Sequence, residues 1–465
     1  PTRDRYTLEY YANFAKELER RGAHMLAIKD MSGLLKPYAA KKLVATLKNE
    51  VGVPIHLHTH DISGNQVATI LMASEAGVDI VDTAISSMSS LTSQPSLNAV
   101  VTALQGNERD TGLNPDELQK LTDYWADVRL RYEKFDKGLK APATEIYKYE
   151  IPGGQYTNLR PQVESLGLGS RFKEVEEMYA TVNQMLGDIV KVTPSSKMVG
   201  DMAIFMVQND LTPENIVEKG AALTFPDSVV DYFKGMMGQP AWGFPEDIQK
   251  IVLKGEKPIT CRPGEILDPI DFDAVYKEME PFMNGEKINR RAMLSYCLYP
   301  KVYKEYRQHR KEYGYLMRMG SHVFFNGMEV GETNKINIED GKTLVIKYLG
   351  LGDLNEDGTR NVKFELNGMR REVAVQDKTA IASVKQVTLA DPEDKSQVGA
   401  SIPGAVTRVD VKPGDKVVEN QVIAVVEAMK METSIVARID GVVDEILVKP
   451  GQTVVAGELL ATIKV

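Results

Sequence analysis

Residues 403–465 read PGAVTRVDVKPGDKVVENQVIAVVEAMKMETSIVARIDGVVDEILVKPGQTVVAGELLATIKV, and this stretch repeats itself at an offset of 37 positions. Gly404 matches Gly441 and Val406 matches Val443. The run Val411-Lys412-Pro413-Gly414 matches Val448-Lys449-Pro450-Gly451, Val417-Val418 matches Val454-Val455, and Ala424 matches Ala461. Each half reads as short alternating strands with a Pro-Gly turn at the same place, where proline presets φ and glycine supplies the positive-φ position. Two such half-sheets can pack face to face as a quasi-symmetric sandwich and bury both apolar faces. At the joint between them stands Glu427-Ala428-Met429-Lys430-Met431-Glu432. A joint of this kind predicts an exposed hairpin with Lys430 at its tip. Most lysines are simply solvated, and that is the bland reading of this one.

The flanking residues argue for more. Ala428-Met429-Lys430-Met431 resembles the biotinyl carrier domains, whose modified lysine sits in that tetrapeptide, and Pro403-Gly404 matches their upstream turn. Lipoyl carriers share the fold but usually have Asp or Glu before their lysine. The resemblance implies biotin on Lys430, attached by a biotin protein ligase.

Working back toward the N-terminus, residues 386–397 are polar and read as a linker to a carrier domain at 398–465. Before them, His322–Phe325, Thr343–Tyr348, Asn361–Leu366 and Glu372–Val375 read as strands, with Asp357-Gly358 as a hairpin signal. Residues 113–285 are mainly helical. Asn114-Pro115 and Thr212-Pro213-Glu214 are helix-opening signals. From Arg171 to Leu186 the residues Val175, Met178, Tyr179, Val182 and Leu186 form one stripe at helical spacing, which reads as core.

Residues 1–112 alternate helix and strand. Helices are predicted at Leu8–Arg20, Pro37–Val51, Asn65–Ala76 and Pro95–Gln105, and strands at His24–Asp30, Pro54–Asp61 and Val78–Ile85. This alternation implies parallel pairing. Three strands cannot close a barrel, which takes eight. They are either a small open sheet or the end of a barrel whose first strands lie upstream. His56-Leu57-His58-Thr59-His60-Asp61 puts three imidazoles on one strand face. Neighbouring pairs lie ~7 Å apart along the strand, and His56 and His60 ~13 Å apart, too far to share an ion. The ligating pair is therefore His56/His58 or His58/His60. Barrel sites lie at the C-terminal strand ends, which favours His58 and His60. Packed strand histidines are the alternative. Lys29, in Ile28-Lys29-Asp30, would be costly facing a barrel interior unless paired or modified.

Across its length the chain resembles the carboxyltransferase and carrier parts of pyruvate carboxylase. The residues that carry this are Ile28-Lys29-Asp30-Met31, His58-Thr59-His60, Val192-Thr193-Pro194-Ser195-Ser196-Lys197 and the Gly-rich loop Pro152–Leu159 with its Gln155-Tyr156-Thr157-Asn158. The implied fold is multidomain: the C-terminal part of a TIM (β/α)8 barrel (1–112), a helical funnel domain (113–285), a small β-rich tetramerisation and allosteric region (286–385), and a biotinyl/lipoyl-type flattened β-sandwich. The resemblance implies that Lys29 carries a carbamate and, with His58 and His60, holds manganese or zinc. It implies that Thr193 moves a proton between biotin and pyruvate, with Ser196 in the biotin pocket. It further implies carboxylation of pyruvate to oxaloacetate, ATP and bicarbonate used in an N-terminal part, a homotetramer, and acetyl-CoA as activator.

A decarboxylase α subunit or transcarboxylase subunit is the nearest rival. The other is a carrier and assembly fragment without chemistry of its own. The chain begins at Pro1, with no counterpart of the family's metal aspartate or substrate arginine. It is expected to be part of a longer polypeptide and inactive alone. Net charge is −9 with no basic block, which speaks against nucleic acid or anionic membrane as partner. No apolar run suits a membrane span. Two cysteines, Cys261 and Cys297, fit a reducing compartment, bacterial cytoplasm in preference to mitochondrial matrix.

Overall fold

A computed structural model describes residues 5–136, 139–220, 223–355, 358–377, 388–391, 394–428 and 431–464. They form two compact units: residues 1–265 with 387–465, and residues 266–386.

In the first unit the N-terminal segment forms strands β1 (Leu26–Asp30), β2 (Ile55–Thr59) and β3 (Ile80–Val81), parallel and in sequential order. Helix α1 (Leu8–Arg20) precedes them, α2 (Pro37–Glu50) and α3 (Gln66–Glu75) connect them, and α4 (Leu97–Leu104) follows. Thr7 caps α1 by accepting from the Tyr10 N–H. Ile55 and Leu57 are fully buried against Leu43, Val44, Ile70 and Ala73, while His56 and His58, which alternate with them, lie on the other face. The third strand is only two residues long, shorter than its apolar run suggests.

The helical region follows. Asn114 caps α5 (Pro115–Leu130), with Pro115 at the first turn. Thr212-Pro213-Glu214 forms a turn, and its helix starts only at Ile216. The Arg171–Leu186 stripe is the buried face of helix Phe172–Met185. Pro152–Leu159 is not a loop: a helix, Gly153–Ser165, begins directly after Pro152.

In the second unit, helices Phe272–Met279, Arg290–Leu298 and Pro300–Tyr313 gather Met279, Met283 and Tyr296. An antiparallel meander follows: β4 (Thr333–Glu339), β5 (Lys342–Leu354), β6 (Thr359–Leu366) and β7 (Met369–Gln376). His322–Phe325, expected as a strand, lies in helix Ser321–Asn326. Asp357 of the expected hairpin signal lies outside the described residues.

Residues 397–464 make eight strands: β8 (Gln397–Gly399), β9 (Gly404–Val409), β10 (Lys416–Val417), β11 (Val422–Ala428), β12 (Met431–Val436), β13 (Gly441–Ile446), β14 (Thr453–Val454) and β15 (Leu459–Lys464). The sheets are ordered β12-β11-β9-β14 and β8-β15-β13-β10. Each sheet therefore takes one short strand from the other half of the repeat. Lys416 pairs with Val442 and Thr453 with Ala405, the same pairing carried through the 37-residue offset. Ala428 pairs with Met431, so β11 and β12 are antiparallel neighbours up to these residues. Lys430 itself lies outside the described residues.

Candidate functional site

Parallel register places Lys29 of β1 opposite His58 of β2, on the strand face that His56 shares. His58 Nε2 and His60 Nε2 lie 3.4 Å apart. Their other ring nitrogens are occupied: His58 Nδ1 lies 2.7 Å from Asp82 Oδ2, and His60 Nδ1 lies 2.7 Å from the Thr92 carbonyl oxygen. A carbonyl and a carboxylate are acceptors, so each Nδ1 carries a proton, and in the neutral ring the lone pair falls on Nε2. Two lone pairs facing each other at this distance repel unless a cation or a proton sits between them. Burial pushes the His60 imidazole below its ordinary pKa against the Thr92 hydrogen bond, with His58 and Lys29 acting in the same direction as burial. A neutral ring is the form that ligates a metal.

His56 takes no part in the pair. Its Nε2 meets Asp82 Oδ1 at 2.7 Å. Asp82 thus holds two imidazoles at once. Burial works to raise its carboxyl, but the hydrogen bonds from His56 and His58 outweigh this and hold it below the usual range. Sequence reading passed over Asp82, although an acidic residue following an apolar strand beside a histidine strand was a visible signal. Among the described residues no three His, Cys, Asp or Glu side chains converge as a metal cage. The imidazole pair fits a metal. A further ligand must be of another chemistry, and Lys29 stands in register on the same face.

Glycines press the surrounding loops onto His60. A Cβ on Gly33 would stand 2.1 Å from the His60 carbonyl oxygen, and Gly33 already has φ +71°. A Cβ on Gly153 would stand 2.9 Å from both His60 Nδ1 and the Thr92 carbonyl oxygen. The Gly153 N–H donates to the Met31 carbonyl at 3.0 Å, and the Ser32 hydroxyl to the Glu150 carbonyl at 3.1 Å. Lys191 reaches the Glu150 carboxylate at 3.0 Å, both side chains nearly buried. These contacts tie the β1 end and the 150–153 segment to the segment that carries Thr193.

Thr193 is exposed on the connection between helices Phe172–Met185 and Ser195–Gln208. The Ser195 hydroxyl folds back on the Val190 and Val192 carbonyls, at 2.9 and 2.7 Å, and shapes this turn. Ser196 is buried in the first turn of the second helix, where its carbonyl accepts from the Tyr179 hydroxyl at 3.3 Å. Further along that helix, fully buried Asp201 accepts from Lys197, Gln162 and Ser228.

Comparison with known proteins assigns each segment. Residues 2–124 match the HMGL-like family, 146–347 the conserved carboxylase domain, and 395–463 the biotin-requiring enzyme family. The chain therefore joins an HMGL-like barrel fragment, a helical carboxylase domain and a biotin-type carrier. The pyruvate carboxylase of Bacillus subtilis (strain 168) is 50% identical over 435 residues, which cover 94% of this chain and 38% of that protein. The chain thus spans about two-fifths of that relative. The complete multifunctional pyruvate carboxylase from Rhizobium etli has TM-score 0.71 and 45% identity, covering 99% of this chain and 42% of that one. Its carboxyl transferase domain with pyruvate and biocytin has TM-score 0.72 and 48% identity, over 80% of this chain and 63% of that one.

Proposed function

From the premise that this chain belongs to the pyruvate carboxylases, as their C-terminal part, we propose that it supplies the carboxyl-transfer chemistry and the biotin carrier of an enzyme that converts pyruvate to oxaloacetate. The observation that carries the reading is the imidazole pair, with Nε2 atoms 3.4 Å apart and both Nδ1 positions already bonded. In this reading Lys29 as a carbamate, His58 and His60 hold manganese or zinc. The ion supplies a Lewis acid that polarises a carbonyl oxygen. Biotin on Lys430 supplies a tether for an activated carboxyl group.

The remaining work falls to the chain's own side chains. Asp82 and the Thr92 carbonyl fix the imidazole tautomers. The Thr193 hydroxyl would carry a proton from the pyruvate methyl, whose carbon takes up the carboxyl group, to the nitrogen of the tethered cofactor that gives that group up, ending as it began. The buried Lys191–Glu150 pair holds the segment from which that hydroxyl projects. Ser196 belongs to the biotin pocket.

The division at 1–112, 113–285, 286–385, 386–397 and 398–465 belongs to the same reading. So do ATP and bicarbonate used elsewhere in the longer protein, a homotetramer formed through 286–385, acetyl-CoA as activator, a biotin protein ligase acting on Lys430, and a cytoplasmic setting. No described helix is long and apolar enough to cross a membrane.

The test is oxaloacetate formation by the longer protein, purified from a biotin-sufficient host, with pyruvate, bicarbonate and ATP. Lys430→Arg should lose both biotin and activity. Thr193→Ala should keep its biotin and metal yet lose ~10²–10⁴-fold in turnover, the usual weight of a positioned proton carrier. Turnover independent of ATP would instead favour the decarboxylase reading, and a Thr193→Ala enzyme of ordinary activity would end the proton-carrier assignment.

A further inference from the structure

Within the first unit the carrier does not stand apart from the helical region. Their apolar residues join in one continuous cluster. Three helices each reach the carrier with a polar contact. Asp227, first residue of helix Asp227–Lys234, accepts from the Ser434 hydroxyl at 3.1 Å. Gln208, last residue of helix Ser195–Gln208, donates to the Ser401 carbonyl at 3.2 Å. Lys254, C-cap of helix Glu246–Leu253, donates to Asn420 Oδ1 at 3.4 Å.

The repeat makes these contacts informative. The sandwich offers two faces related by the 37-residue offset, and an indifferent surface would serve as well on either. The twin of Ser434 is Gln397, the twin of Ser401 is Arg438, and the twin of Asn420 is Gly457. Gln397 lacks the hydroxyl of Ser434 and Gly457 lacks the side-chain amide of Asn420, whereas the Ser401 contact uses a backbone carbonyl and does not tell the halves apart. Asn420 and Gly457 both sit in left-handed backbone, with φ +69° and +78°. Their N–H groups make the same bond, at 2.8 Å, to Ala437 and Ala400 respectively. Glycine takes such a conformation at less cost than asparagine. At one of two equivalent turns the chain thus carries a side chain where glycine would be easier, and that side chain meets Lys254. Ser434 lies on β12, the edge strand of its sheet, so the contact also covers an otherwise open sheet edge.

We propose that the helical region carries a docking surface for the carrier of its own chain, formed by Asp227, Gln208 and Lys254 and recognising the Ser434, Ser401 and Asn420 face. The inference rests on the reading of residues 398–465 as a mobile carrier. The dock is built for release. Two of its three hydrogen bonds are solvent-exposed, and the third sets Asp227 near Glu432 and Asp231, with Arg408 the opposing charge. From Asp227 the contact runs inward, because its neighbour Ser228 donates to Asp201 on the helix that follows Thr193.

The test uses the longer protein carrying Asp227→Cys and Ser434→Cys together. Mild oxidation should give a disulfide within one chain, seen by peptide mapping and by the absence of a linked-dimer band in a denaturing gel. Locking should cut overall turnover many-fold, and reductant should restore it. Avidin detection of biotin on the same sample separates a failed dock from a failed carrier reading. Asn420→Gly, which the Gly457 turn shows the fold accepts, should slow the crosslink severalfold while leaving biotinylation unchanged. A crosslink between chains, none at all in biotinylated protein, or a rate indifferent to Asn420→Gly would each overturn the proposal.

Discussion

Asp82 decides which nitrogen of His58 faces the ligand. Its two oxygens bond His56 Nε2 and His58 Nδ1, both at 2.7 Å, so losing its charge loosens two rings at once. Partners of this kind typically account for 10–100-fold in metal affinity. Asp82→Asn in the longer protein should retain its fold by circular dichroism and lose bound metal to a competing chelator ~10–100-fold more readily. Metal retention equal to wild type would show that Asp82 only fills space. Gly153 acts on the other ring of the pair, His60, by having no side chain. A methyl there meets His60 Nδ1 and the Thr92 carbonyl at 2.9 Å and competes for the position that fixes the tautomer. The histidine pair was legible from spacing two apart on a strand. Gly153 was not, because 93 residues separate it from His60, and Asp82, 24 residues from His58, was overlooked although it directly follows the apolar strand beside the histidines.

At the scale of elements, the offset that relates the carrier's halves reaches down to single glycines. A Cβ at Gly404 would stand 2.3 Å from the Glu427 carbonyl oxygen, and one at Gly441 2.4 Å from the Lys464 carbonyl oxygen. Glu427 and Lys464 are themselves related by the offset. Gly404→Ala and Gly441→Ala should therefore each destabilise the carrier by a similar ~1–3 kcal/mol, the ordinary cost of forcing a methyl into packed structure. Hydrogen exchange of β9 and β11 in the first variant, and of β13 and β15 in the second, reads this out locally. Protection lost in only one of them would mean that the halves are not mechanically equivalent. The repeat was legible because both copies keep the Pro-Gly turn. The exchange of β10 and β14 between sheets was not, since two-residue strands carry no periodicity and their partners are remote. In the second unit β4 escaped notice because Thr333–Glu339 has only Ile336 and Ile338 as apolar residues. The four residues His322–Phe325 looked like a strand because so short an apolar run does not separate period 2 from 3.6. Their neighbours formed a helical turn instead.

Across the first unit, one of the three polar contacts that hold the carrier is made by a carboxyl group. Burial pushes Asp227 above the ordinary carboxylate value, Glu432 and Asp231 push the same way, and the Ser434 hydroxyl and Arg408 oppose them. A raised carboxyl binds its proton more tightly where it is buried than in the freed state. The docked arrangement is then favoured fully below the ordinary carboxylate value of ~4 and loses that advantage as pH rises through the raised one. Above that range the group is ionised close to Glu432 and Asp231, which suits a carrier that must leave. Spin labels placed on the carrier and on the helical region should report a short separation at low pH that gives way to a broader, longer distribution as pH climbs out of the carboxylate range. Asp227→Asn keeps an oxygen for Ser434 and removes the charge, so its distance distribution should stay short and stop responding to pH in that range. A wild-type distribution that is flat with pH, or an Asp227→Asn variant that releases its carrier as the wild type does, would remove Asp227 from control of the dock.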